Sequence, residues 1–191
     1  MRIGVLALQG AFREHRLMLE GCGVEVTEVR KAVDVDGVDG LVIPGGESTT
    51  IGKMLVDWGL MDKIKSRATE GMAIYGTCAG MILLAKEIVG SQQPRLGLLD
   101  VSVRRNAFGR QRESFEADLY VPEFGEQPLR AVFIRAPYIE SAGAAVKVLA
   151  AVDGHIVIAR QGKILVTAFH PELTQDDRIH RYFIDMVKDS A

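Results

Sequence analysis

Two kinds of hydrophobic pattern alternate along the first half of the chain. "IGVLAL" (residues 3–8) and "GLVIP" (40–44) are short unbroken apolar runs, the pattern of strands buried on both faces. "MAIYG" (72–76) continues the series, and "VEVTEV" (24–29) alternates like a strand with one exposed face. Amphipathic stretches lie between them. One covers 12–21, where Phe12, His15, Leu17 and Leu19 are mixed with charges; another runs from about Thr50 to Arg67 and should break near Gly59. A further helix should begin near Ala79. Strands alternating with helices imply βαβ units and a mostly parallel sheet. The second half has a different rhythm. Runs 98–104, 115–121, 130–135, 146–151, 155–160 and 163–169 are strand-like, with tight turns such as Asp153-Gly154 and Gln161-Gly162. A helix over 176–188 closes the chain. No repeat, linker or low-complexity segment interrupts it, so the reading is one α/β domain over 1–191 with an antiparallel extension.

Composition narrows the function classes. The chain has 191 residues, 48% hydrophobic, and a formal net charge of -2. That balance offers no broad basic field for nucleic acid. Two cysteines, Cys22 and Cys78, cannot build a disulfide framework, and no CxxC pair points to zinc. No apolar run approaches the roughly 20 residues that a membrane-spanning helix needs. These features imply a reduced, cytoplasmic setting without membrane or nucleic-acid partners.

Ligands of open α/β sheets bind beyond the carboxyl ends of the strands. Four turns follow buried runs here: Gln9-Gly10-Ala11, Pro44-Gly45-Gly46-Glu47-Ser48, Gly76-Thr77-Cys78-Ala79-Gly80 and His170-Pro171-Glu172. They should share one rim and bring a thiol, an imidazole and a carboxylate together, the inventory for covalent acyl chemistry. Cys78 sits at a strand-to-helix corner between glycines, where a sharp turn exposes a nucleophile and a helix N-terminus favours a thiolate. The N–H of Ala79 would then face a tetrahedral oxyanion. His170 and Glu172, two apart in an extended segment, project to one side, so the carboxylate can fix the imidazole tautomer. The glycine turn can aim further N–H groups into the site, with Gly46 the expected donor. It is not a phosphate loop, because Gly46 to Gly52-Lys53-Met54 has the wrong spacing and lacks the hydroxyl. A zinc site of Cys78, His170 and Glu172 has no second cysteine motif behind it.

Other residues have plainer readings. His15 on a charged helix face, His155 after a turn and His180 amid Asp177, Arg178 and Arg181 need only solvent or local ion pairs. Cys22 reads as a buried residue at a helix end. The methionines at 18, 54, 61, 72 and 81 read as core. The stretch "VRRNAFGRQRESFEADL" (103–119) holds four arginines and is either a solvated loop or a carboxylate clamp.

"GTCAGMILLA", "FHPEL" and "LVIPGGEST" together resemble the class I (triad) glutamine amidotransferases. "GVLALQGAFREH", "PGGESTTI", "RRNAFGRQRESFEADL" and "FIRAPYI" are similar to the branch of that family that serves pyridoxal 5'-phosphate synthesis. The likeness runs end to end. It implies a flavodoxin-like, doubly wound sheet with helices on both faces, and hydrolysis of L-glutamine to L-glutamate and ammonia through a cysteine thioester. Cys78 would be the nucleophile, His170 the base and then the acid, and Glu172 its orienting partner. Substrate would contact Gly46, Glu47, Ser48, Arg105, Ile134 and Arg135. Gly10, Gly46 and Ala79 would supply the oxyanion hole, the Gln9-Gly10-Ala11 turn resembling the segment that completes it when the synthase partner docks. An amino acid's ammonium and carboxylate suit an acceptor such as Glu47 and a guanidinium such as Arg105. Spacing alone leaves Arg104, Arg110 and Arg112 equally placed. No cofactor is implied. The implied partner is a TIM-barrel synthase that makes pyridoxal 5'-phosphate from ribose 5-phosphate and glyceraldehyde 3-phosphate. It would receive the ammonia through a shielded path in a large hetero-oligomer, a synthase dodecamer decorated with glutaminase subunits. Helix 12–21 and the rim turns are the docking candidates. The alternatives are a glutaminase subunit serving another synthase, a cysteine peptidase of the same fold, and a non-catalytic subunit with a relic site.

Overall fold

The computed structural model describes residues 1–106 and 113–189. In chain order the first half runs β1 (Arg2–Leu6), α1 (Phe12–Gly21), β2 (Glu25–Val29), β3 (Gly40–Ile43), α2 (Ser48–Asp57), α3 (Leu60–Thr69), β4 (Ala73–Thr77) and α4 (Ala79–Leu84). The second half runs β5 (Ala85–Ile88), β6 (Leu99–Arg104), β7 (Ser114–Leu119), β8 (Leu129–Ile134), β9 (Tyr138–Ala142), β10 (Lys147–Val152), β11 (His155–Gln161), β12 (Ile164–Thr167) and α5 (Arg178–Lys188).

Ten strands join in one sheet of order β2-β1-β3-β4-β12-β11-β9-β6-β5, with β10 paired to β11, while β7 and β8 form a separate antiparallel pair. The first five strands of that order are mutually parallel. From β12 onward the sheet turns antiparallel through β11, β9 and β6. The central strands carry no exposed side: β3 and β4 are buried at every position. Such strands need apolar residues on both faces, because helices cover both. Each fully buried Ile, Leu or Phe adds roughly 1.5–3 kcal/mol of transfer free energy. α1 and α5 share one face, joined by contact between His15 and His180.

Local chemistry sets the element ends that matter for the rim. Glu47 caps α2, its carboxylate accepting from the Thr49 amide at 3.0 Å and the Thr49 hydroxyl at 2.6 Å. Gly59, in the left-handed region at φ 68°, separates α2 from α3, which begins at the next residue. Arg178 at the start of α5 donates to the carbonyls of Phe124, Gln127 and Pro128, tying that helix to the β7–β8 side.

The structure departs from the sequence reading in two elements. The helix after Cys78 lasts six residues and passes directly into β5, which pairs with β6. β9 lies beyond Arg135, where the reading placed no strand, and pairs with β6 and β11. Both are short, partly polar strands whose identity rests on distant pairing rather than on their own pattern.

Candidate active site

The sulfur is held by a strained corner. Cys78 ends β4 with φ 48° and ψ −101°, a conformation L-residues rarely adopt and that costs on the order of 1–3 kcal/mol. The neighbouring sheet pins it, since the Cys78 amide donates to the Thr167 carbonyl of β12 at 2.8 Å. α4 then leaves at once, packed so tightly that a Cβ on Gly80 would collide with the Ile43 carbonyl oxygen. Of four described non-glycine residues with positive φ, three (Cys78, Asn106 and Arg135) line the same cavity. Strain concentrated at one place is the mark of a functional site.

That cavity measures about 440 Å³ and opens at the carboxyl ends of β1, β3, β4 and β12. His170 lines it, its amide anchored to the Val132 carbonyl of β8 at 2.8 Å. The imidazole Nδ1 meets Glu172 Oε1 at 2.7 Å, and the ring also reaches the Cys78 side chain. Burial works to lower the His170 pKa, but hydrogen bonds to Cys78 and Glu172 and their charges prevail and raise it from 6.5 to about 10. Burial likewise opposes the Glu172 charge, yet His15 and His170 hold its pKa below the ordinary value. The electrostatics therefore favour a proton on the imidazole beside an anionic carboxylate. Gly45 fits against this ring: a Cβ there would collide with His170 Cε1 and lie in contact with Cys78 Cβ. Sequence reasoning singled out Gly46 and passed over Gly45.

The opposite wall carries charge in a wetter setting. Glu47 is exposed, its pKa lowered by the hydrogen bonds from Thr49 and, further off, by Arg105 and Arg135. Arg105 is half-buried, and its Nη1 donates to Gln93 Oε1 at 2.9 Å. The Ser48 hydroxyl points to the same Gln93 oxygen at 3.4 Å, so Ser48 meets the cavity while its side chain turns toward the loop. Gln9 spans two turns by accepting from the Glu47 amide at 2.7 Å. The Ala11 amide donates to the Gly45 carbonyl at 3.0 Å, locking the first turn onto the second.

The structure brings most expected residues to one place. Gly10, Gly46, Glu47, Ser48, Cys78, Arg105, Ile134, Arg135 and His170 all line the cavity. Glu172 lies beyond His170 from the cavity, and Ala79 is 1% exposed and outside the lining, so only its backbone could serve an oxyanion. Arg104 is committed elsewhere, paired with Glu140 at 2.5 Å, which leaves Arg105 as the described arginine of that run at the cavity. Arg110 and Arg112 lie outside the described residues. Among the described residues no His, Cys, Asp or Glu group is arranged to hold a metal ion, and no helix is long and apolar enough to cross a membrane.

Two histidines are not where the reading put them. His15 and His180 are fully buried, not solvated, and bond to each other at 2.8 Å behind the site. The signal was present in helical spacing. His15 occupies the slot between Phe12 and Leu19 on the inward stripe of α1, and His180 shares the buried face of α5 with Phe183, Ile184 and Val187. His155 opens β11 and stacks on Tyr138. Cys22 caps α1 half-buried, its sulfur 3.8 Å from Asp177 Oδ2. Met61, Met72 and Met81 are core, while Met18 and Met54 are only partly covered.

Comparison with known proteins fits this geometry. Residues 5–189 match the model of the SNO glutamine amidotransferase family. The chain is 62% identical over 185 residues to "Pyridoxal 5'-phosphate synthase subunit PdxT" of Pelotomaculum thermopropionicum, covering 97% of this chain and 94% of that one. It is 59% identical over 187 residues to the protein of the same name from Carboxydothermus hydrogenoformans, covering 98% of each. A crystal structure described as a glutamine amidotransferase superposes with a TM-score of 0.94 at 53% identity, over 97% of this chain and 98% of that chain.

Proposed function

The chain belongs to the SNO glutamine amidotransferase family, and on that premise we propose that it is the glutaminase subunit of a pyridoxal 5'-phosphate synthase, its relatives being named as subunits of that synthase. One observation carries the chemistry. A cysteine in a strained corner opens on a 440 Å³ cavity, within reach of an imidazole that a buried carboxylate holds at 2.7 Å.

In the proposed reaction the Cys78 sulfur attacks the side-chain amide carbon of L-glutamine, its proton residing on His170. Backbone N–H groups of the Gly10, Gly46 and Ala79 segments face the oxyanion. His170 delivers its proton to the departing nitrogen as the C–N bond breaks, leaving a thioester and ammonia. Water then adds to the thioester carbon while His170 takes its proton. The C–S bond breaks, glutamate leaves, and the proton returns to the Cys78–His170 pair. Glu172 keeps Nδ1 protonated throughout, so that Nε2 faces the reacting atoms. Glu47 and Arg105 suit the ammonium and carboxylate of a free amino acid, with Ile134 and Arg135 beside them. The cavity lies within the usual small-ligand range of about 300–1,000 Å³.

Ammonia released into neutral water is protonated and loses its nucleophilicity. The product is therefore passed directly to a TIM-barrel synthase subunit docked over the rim, which incorporates it into pyridoxal 5'-phosphate. The test is a glutaminase assay with and without the purified synthase. Turnover stimulated by the synthase and abolished by Cys78→Ala is the expected result. Turnover that survives Cys78→Ala contradicts the mechanism, and indifference to the synthase contradicts the subunit assignment.

A further inference from the structure

Behind Glu172 lies a buried polar chain that the triad reading does not use. Glu172 Oε1 faces His170, and its other oxygen, Oε2, is fully buried without a well-directed hydrogen bond. The group opposite Oε2 is His15 Nε2, 3.3 Å away, which also bonds the Thr77 hydroxyl at 3.1 Å. His15 Nδ1 meets His180 Nε2 at 2.8 Å, and His180 Nδ1 has no partner. Four polar side chains, His170, Glu172, His15 and His180, thus link in series from the cavity into the core, with Thr77 of β4 branching from His15.

Only one tautomer arrangement suits that line. If His15 carried its proton on Nδ1, its Nε2 lone pair would face a carboxylate at 3.3 Å, and His180 would bury an unpaired N–H. With the proton on His15 Nε2, that N–H bonds the Thr77 hydroxyl with its nitrogen 3.3 Å from Glu172 Oε2, and Nδ1 accepts from His180 Nε2–H. The unpartnered His180 Nδ1 is then a bare lone pair, the cheaper group to leave alone. Burial lowers the pKa of both rings, opposed at His15 by Glu172 and helped at His180 by His15, so the pair stays neutral.

Resting on the glutaminase reading above, we propose that His15 is a positioning residue for Glu172: it presents Nε2–H to the outer carboxylate oxygen, and His180 fixes the tautomer that makes this possible. Glu172 is thereby held ionised and in one rotamer, with Oε1 aimed at His170 as the imidazolium forms and discharges. The charged and titratable groups around the pair are Glu172 and His170 on the site side, Glu14 on α1, and Tyr75, whose ring lies edge-on to His15 at 6.2 Å. Among the described residues Glu172 is the carboxylate that lies 3.3 Å from His15 Nε2, so it is the group whose titration His15 governs.

The experiment measures kcat, KM and the pH profile of glutaminase activity in the complex with the synthase subunit, for wild type, His15→Leu, His15→Gln and His180→Leu. In parallel it follows the pH dependence of Cys78 alkylation by iodoacetamide, a readout that needs no glutamine. His15→Leu is expected to lower kcat on the order of 10- to 100-fold, as for loss of a hydrogen bond to a buried charge, with KM nearly unchanged. Losing a donor to the ionised carboxylate raises its pKa, so the acid limb of both profiles should move to higher pH. His15→Gln, whose amide N–H reaches the Nε2 position, should restore both; His180→Leu should move them less, in the same direction. A folded His15→Leu protein with wild-type kcat and acid limb overturns the proposal. So does a His15→Gln protein as impaired as His15→Leu with neither limb displaced, which would indicate packing alone. If His15→Leu does not fold, the His15→Gln and His180→Leu limbs decide in the same way. A wild-type complex that fails to hydrolyse glutamine overturns the functional reading instead, and the alkylation profiles still judge His15.

Discussion

The two walls of the cavity are built on opposite physical plans. The wall proposed to carry the reaction holds Cys78, His170 and Glu172 at 8%, 8% and 6% exposure, backed by His15 and His180 at 0%. Its backbone anchors run between strands, Cys78 to β12 and His170 to β8. The wall proposed for recognition holds exposed Glu47 and Arg135 and half-buried Arg105, each reached by solvent. Buried polar groups are costly unless paired, so the reaction wall must be satisfied and rigid before substrate arrives. Exposed charges are screened and contribute little to the empty protein. On the proposed function, substrate completes the second wall, whereas the fold completes the first.

Substitutions on the two walls should separate in kinetic type and size. The largest effect is expected for Glu172→Gln, which keeps the shape but removes the charge that orients and supports the imidazole. Loss of kcat by about 10³-fold or more, with KM little changed, is the expected steady-state result. Next comes Gly45→Ala, whose added methyl must displace the His170 ring. A drop in kcat on the order of 10²-fold is expected, because a small displacement of reacting groups costs that much. On the other wall Arg105→Ala should raise KM for glutamine by about 10- to 100-fold while kcat holds, and added salt should weaken wild-type binding more than it weakens the variant. A kcat effect at Arg105 matching that at Gly45 would erase the distinction between the walls.

The smallest effect concerns pH. His170 has its pKa raised to about 10, so its stabilising interactions are complete below its ordinary value of 6.5 and fade as pH climbs toward 10. Cys78→Ala removes one of the partners that hold the proton there. The imidazole midpoint, followed by NMR, should fall in that variant, and its thermal stability should decline less between those two pH values than in wild type.

The same contrast explains what could be read from the sequence. β1, β3 and β4 were legible because buried parallel strands must be apolar throughout, and the rim followed because their carboxyl ends coincide. β5 and β9 were not, since "AKEI" and "YIESA" acquire strand character only by pairing with β6. His170 and Glu172 declared themselves by spacing. His15 and His180 were hidden by the charges around them in sequence, although each occupies a core slot of an amphipathic helix. Gln93 was invisible for a simpler reason: a loop amide that tethers Arg105 has no local pattern at all.

Mass spectrometry after reaction with a glutamine analogue bearing a diazoketone in place of its amide would test the central claim most directly. Such a reagent must first bind as an amino acid and then be attacked by the nucleophile. One adduct per chain on the peptide carrying Cys78, suppressed by excess glutamine and by Arg105→Ala, is the expected result. Labelling at Cys22, or none while the chain still hydrolyses glutamine, would contradict the account.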